Sequence, residues 1–147
     1  MTKNKQNKNN MDEKEYDLLM KDLCGRLPYG VMCKINNRCV KVEEINPFEG
    51  VITYDGWLSC GIDEDIKPYL RPMSSMTEEE CDMVEVILGD ENIFDFMRNG
   101  DIILKEGNFT QVMLSRLYDY FNSIHVDYRG LIPKGLALEA KKGMYNA

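Results

Sequence analysis

Residues 29–62, YGVMCKINNRCVKVEEINPFEGVITYDGWLSCGI, carry two dipeptides that dictate how the middle of the chain can run. Asn36-Asn37 separates Val31–Ile35 from Arg38–Glu43, and Asp55-Gly56 separates Val51–Tyr54 from Trp57–Cys60. Asn, Asp and Gly tolerate the positive φ angles of two-residue primed turns, whose twist matches that of the strands they join. The first turn sets Cys33 opposite Val40, Val31 opposite Val42 and Lys34 opposite Cys39. Val31, Cys33, Val40 and Val42 then share one face, and Met32, Lys34, Cys39, Lys41 and Glu43 the other. Turn-derived register and apolar alternation agree, which is a demanding test because a one-residue slip would invert both faces. The second turn pairs Tyr54 with Trp57 and Thr53 with Leu58, with both faces partly apolar. Four strands this short predict a curled antiparallel sheet, or a small SH3-like barrel if a fifth strand joins.

Helical periodicity flanks this ribbon. Asp12 and Glu15 form a capping box ahead of a stripe at Tyr16, Leu19, Met20 and Leu23, with Gly25 as the stop and extended chain after Pro28. Thr77-Glu-Glu-Glu80 is a second capping box, and its three carboxylates suit the positive end of a helix dipole. Cys81, Val84, Ile87 and Leu88 make the stripe that follows, ended by Gly89. A short amphipathic turn is expected at 92–99 and a brief strand at 102–104. A third helix, Phe109 to about Ile124, carries Phe109, Val112, Met113, Leu117, Tyr120, Phe121 and Ile124 at helical spacing and is expected to roof the sheet. Between Ile66 and Pro72, two prolines predict an edge strand or crossover. A short strand is expected at 136–138. The fold class is therefore α+β, a short-stranded antiparallel sheet or small SH3-like barrel covered by about three helices. One domain is expected at 11–140, with a disordered polar tail at 1–10 and a loose end at 141–147.

Charge narrows the function classes. The net charge is −7, and residues 76–147 hold 7 Lys/Arg against 13 Asp/Glu, so most of the excess lies in the second half. Such a surface repels phosphate backbones and suits a basic protein partner. Five scattered cysteines argue for a reducing, cytoplasmic setting over a disulfide framework. No apolar run is long enough to span a bilayer.

No catalytic set assembles from spacing. His125 is the single histidine, with Asp127 two positions on, and no Cys lies in a recognisable nucleophile signature. His125 is read as a helix terminator, and a Cys-His enzyme is the weakest of three readings. Cys33 and Cys39 fall on opposite faces of the hairpin, so they cannot share a zinc ion. Asp63-Glu64-Asp65 lacks the alternate-position spacing of a calcium loop. Gly25 to Gly30 has the outer spacing of a phosphate loop but no following Lys-Ser/Thr, and Pro28 removes a donor. No metal and no cofactor is expected.

Two recognition surfaces remain. Tyr54, Trp57, Tyr69 and Arg71 would form an aromatic-basic patch of the kind that dominates protein interfaces, unless Tyr54 and Trp57 are core or a cross-strand pair. Lys34, Arg38 and Lys41 are the residues a nucleic-acid reading would use.

The segments LCGRLPYGV (23–31), IKPYLRPMSSMTEEE (66–80) and HVDYRGLIPKGLALEA (125–140) resemble blocks in small proteins of bacteriophages and integrated mobile elements of gut anaerobes. That group has no established activity, so the resemblance implies an intracellular setting and assigns no residue a role. The expectation is a non-enzymatic accessory protein acting by protein–protein binding, with a nucleic-acid-associated protein as the alternative.

Overall fold

The computed structural model describes residues 11–63, 65–89 and 111–145. The tail expected at 1–10, the elements expected at 92–104 and the start of the third helix at 109 lie outside them. The chain divides into two compact units, Met1–Tyr69 with Leu131–Leu138, and Leu70–Gly130 with Glu139–Ala147.

In the first unit, helix α1 (Glu13–Arg26) opens as its capping box dictates. Asp12 Oδ1 accepts from the Glu15 N–H at 2.8 Å, and Glu15 Oε1 accepts from the Asp12 N–H at 3.1 Å. The helix does not stop at Gly25. It runs to Arg26, tightens into a 3-10 turn at Leu27–Tyr29 that holds Pro28, and is reversed by Gly30 at φ +80°. Pro fits the first turn of such a helix, where its missing N–H would have had no partner.

Strands β1 (Met32–Ile35) and β2 (Arg38–Asn46) pair as the Asn-Asn turn requires: Cys33 faces Val40, and Lys34 faces Cys39. Asn36 and Asn37 adopt φ of +51° and +63°. Val42 donates its N–H to the Val31 carbonyl at 3.1 Å, extending the ladder inward of the turn. The inner face carries Val31, Cys33, Ile35, Val40 and Val42, all buried.

β3 (Val51–Tyr54) and β4 (Leu58–Gly61) follow, and here the register differs from expectation. Asp55 and Gly56 have the positive φ foreseen, but Tyr54 faces Leu58 and Thr53 faces Ser59. Trp57 belongs to a three-residue loop and not to the strand. β2 serves both hairpins: its first half pairs with β1 and its second half with β3, across a bulge between Val42 and Glu44. A bulge bends and twists its strand, which lets one strand turn a corner.

β5 (Lys67–Leu70) adds to β1, with Pro68 opposite Cys33 and Lys67 opposite Lys34, and β6 (Leu138–Glu139) completes a sheet of order β4-β3-β2-β1-β5-β6. The α+β class holds, while the barrel does not close: β4 ends the sheet on one side. β5 is likewise interior to the strand order and not the edge that its prolines suggest. Leu19 and Leu23 of α1 pack with Val31, Cys33, Val42, Ile52 and Tyr54 in one core.

The second unit has its own core. Helix α2 (Glu78–Leu88) begins with the Thr77 capping box and ends at Gly89, φ +65°. Its Val84 and Leu88 pack against Leu117 and Phe121 of α3 (Gln111–Ile124), together with Met73 and Val126. Of the α3 stripe, expected to roof the sheet, the described Leu117 and Phe121 pack with Val84 and Leu88 of α2. Residues 141–145, expected to be loose, form turns that place the Tyr145 ring on His125, with centroids 3.7 Å apart.

Candidate functional site

The candidate surfaces lie on the sheet, and each is fixed by strand alternation. Tyr54 has the inward parity of Ile52 and is 6% exposed, so it is core and not part of a binding patch. Trp57 goes the other way. Displaced into the loop by the one-residue register change, it is 80% exposed. A large apolar side chain left this open on an ordered turn is unusual, because burying it would be worth about 1.5–3 kcal/mol. Phe48, in the turn between β2 and β3, is 97% exposed. That turn is held by Asn46 Oδ1, which accepts from the N–H groups of Phe48 at 3.0 Å and Glu49 at 3.2 Å.

Tyr69 does not extend a Trp57 patch within the sheet. Tyr69 is half-buried on β5, four strand positions from β4. Arg71 belongs to the second unit, where every donor is engaged. Its two terminal nitrogens grip the Glu80 carboxylate at 2.7 and 2.8 Å, Nη1 also donates to the Ile124 carbonyl, Nη2 to the Ser75 carbonyl and Nε to Ser75 Oγ. The hydrogen bond from Arg71, foremost, holds the Glu80 carboxyl below its ordinary value. Glu80 simultaneously accepts from the Thr77 N–H, so one carboxylate closes the capping box and anchors the guanidinium. Arg71 is a structural staple.

The basic candidates separate as well. Lys34 and Lys41 share the outer face of the β1–β2 hairpin, joined there by Lys67 of β5 directly opposite Lys34. Among the described residues none of the three makes an ion pair. Tyr69 has the same outward parity as Lys67. Arg38 leaves this set: it sits opposite buried Ile35 and gives its guanidinium to Asp55 at 2.8 Å. Sequence reading missed Lys67, because the β1–β5 pairing that carries it to Lys34 is not encoded in any turn.

The residues of a thiol enzyme meet obstacles. His125 ends α3 in the left-handed region, φ +61°, is 3% exposed and is stacked beneath Tyr145. Burial pushes the thiols of Cys24, Cys33 and Cys60 up, away from the thiolate that nucleophilic attack needs. Cys33 points inward and Cys39 outward, on opposite faces as the hairpin register requires. Among the described residues no cluster of three His, Cys, Asp or Glu side chains could hold a metal ion. A depression of about 310 Å³ lies between Met11, Ile66 and Leu136, with Glu15, Asp65 and Lys67 at its rim. Its Glu15 is already committed to the α1 cap. No helix among the described residues is long and apolar enough to cross a membrane.

One buried pair was not foreseen. Asp22 and Arg26, one turn apart on α1, are both fully buried and joined by two bonds, Nε to Oδ2 at 2.8 Å and Nη2 to Oδ1 at 3.0 Å. The acid–base spacing of one helical turn is visible in the sequence, but nothing there says that it faces the core. Comparison with known proteins brings no assignment to any of these residues: no protein-family model, no curated protein and no solved structure matches the chain.

Proposed function

We propose that the protein is a non-enzymatic accessory that acts by binding another protein. The carrying observation is Trp57, the chain's single tryptophan, held 80% exposed on the β3–β4 turn. Tryptophan is among the residues most enriched at the energetic centres of protein interfaces. The resemblance of 23–31, 66–80 and 125–140 to phage and mobile-element proteins supplies the setting, a bacterial cytoplasm. Five free thiols fit that compartment. The net charge of −7 favours a basic partner.

Affinity capture with wild-type and Trp57→Ala protein, from a lysate of the organism encoding the chain, tests this. The reading expects specific proteins captured by the wild type and depleted at least about tenfold by the variant, the loss of a contact near 1.4 kcal/mol. Because the side chain is exposed, the substitution should shift stability by no more than about 0.5 kcal/mol, so any loss is a loss of contact. Identical captured sets would sink the reading.

A second reading has its own observation. Lys34, Lys41 and Lys67 share one face with Tyr69, and like charges directly opposite, as in Lys34 and Lys67, destabilise a sheet unless an anion sits between them. A single strand of nucleic acid would supply phosphates for the lysines and a base for the tyrosine. An electrophoretic shift that fades with salt and with Lys34→Glu would favour this reading. Absence of a shift at low salt removes it.

A further inference from the structure

Strand order places β4 at one end of the sheet. The hydrogen bonding of its inner side identifies what the outer side offers. Ile62 donates its N–H to the Gly50 carbonyl at 2.7 Å, just beyond the ladder that pairs Val51 with Gly61. Bonded and non-bonded pairs alternate in an antiparallel ladder. Cys60 and Leu58 therefore exchange bonds with β3, while Ser59 and Gly61 turn their N–H and C=O groups away from it. Both of these residues are exposed.

Sheet edges are ordinarily blocked by charge, proline, a bulge or extreme shortness. Leu58-Ser59-Cys60-Gly61 has no charge and no proline, and its register with β3 runs without a bulge. At the far end of the same sheet, β6 is two residues long and carries exposed Glu139. Among the described residues, one edge is guarded and the other is open.

We propose that the β4 edge is where the partner docks, by adding an extended segment as a further strand. This rests on the protein-binding reading above and names how that binding works. Four backbone groups, the N–H and C=O of Ser59 and Gly61, fix the segment in register. Side chains of the added strand that point inward meet half-buried Leu58 and Cys60 at the rim of the core, so they are apolar. Trp57, 80% exposed in the loop immediately before Leu58, stands next to one end of the added strand. Asp63 and Asp65 follow the edge in the chain, whereas Asp55 before it is already paired with Arg38, so the end of the segment that lies near Ile62 carries Lys or Arg.

The test uses the full chain and a displayed library of random dodecapeptides. Panning should enrich sequences with apolar residues at alternate positions and one basic end. The best peptide, synthesised and titrated, should move Trp57 emission to shorter wavelength. Gly61→Pro deletes one outward N–H and should weaken binding at least about tenfold. Proline is tolerated where the N–H faces away from the ladder, and a Cβ at Gly61 meets only ordinary contact with the Gly50 carbonyl at 3.9 Å. Gly61→Ala, which keeps the donor, should bind as the wild type does. N-methylating the peptide at the positions facing β4 should abolish binding, and at the intervening positions should not. No enrichment, or binding indifferent to Gly61→Pro and to N-methylation, overturns the proposal. So does a concentration-dependent dimer lost in Gly61→Pro, which would assign the edge to a second copy. If strand addition fails while Trp57→Ala still depletes captured proteins, partner binding stands and acts through side chains alone.

Discussion

Gly50 shows how much one backbone angle can fix. It adopts φ +67°, donates to the Asn46 carbonyl and accepts from Ile62, and a Cβ added there would collide with the Tyr16 hydroxyl. Gly50→Ala should destabilise the protein by about 1–3 kcal/mol in denaturant unfolding. Tyr16→Phe in the same chain should recover part of that loss by removing the obstructing oxygen. At Asp22 the argument is electrostatic. Asp22→Ala leaves the Arg26 charge in the core without its carboxylate and should destabilise by about 3–5 kcal/mol. Replacing both residues with Leu and Met should come close to wild-type stability, since the pair's attraction roughly offsets its desolvation. The buried pair was not legible in the sequence, because charged residue types are almost never fully buried and sequence spacing says nothing about which helix face turns inward.

Among the elements, the two capping boxes and the Asn-Asn hairpin were readable because each is written in contiguous residues. The β3–β4 hairpin was readable in its turn angles and misread by one position in its register, and that position decides whether Trp57 is strand or loop. β5 was misjudged because Pro68 looks like an edge signal while the pairing with β1 depends on residues more than thirty positions away. Helix α2 offers a pH test. Its Glu80 carboxyl is held below the ordinary value of 4.5, first by its hydrogen bond to Arg71, against the opposing effect of burial. A carboxylate lowered on folding lends stability that is complete above the unfolded value and lost as pH falls through the folded one. Wild type should therefore exceed Glu80→Gln in stability at neutral pH. The gap should close as denaturant titrations are carried below about pH 4.5.

At the scale of the molecule, two cores shield different thiols. Cys33 lies in the first and Cys81 is buried in the second unit, whereas Cys24 and Cys39 are exposed. Brief alkylation of native protein, read by mass spectrometry, should label Cys39 and Cys24 and spare Cys33 and Cys81 until denaturant is added. The α+β class and the three helices among the described residues came through in the sequence, since both follow from local periodicity. The open sheet and the separate packing of α2 on α3 did not, because closure and helix partnering depend on contacts remote in the chain. β2 brings a last consequence. Its nine residues are divided between the two ladders on either side of the bulge near Glu43, so the melting of one ribbon is coupled to that of the other. Amide protons of 38–46 should accordingly exchange with deuterium at one common rate-limiting opening, making this strand the axle on which the first unit's cooperativity turns.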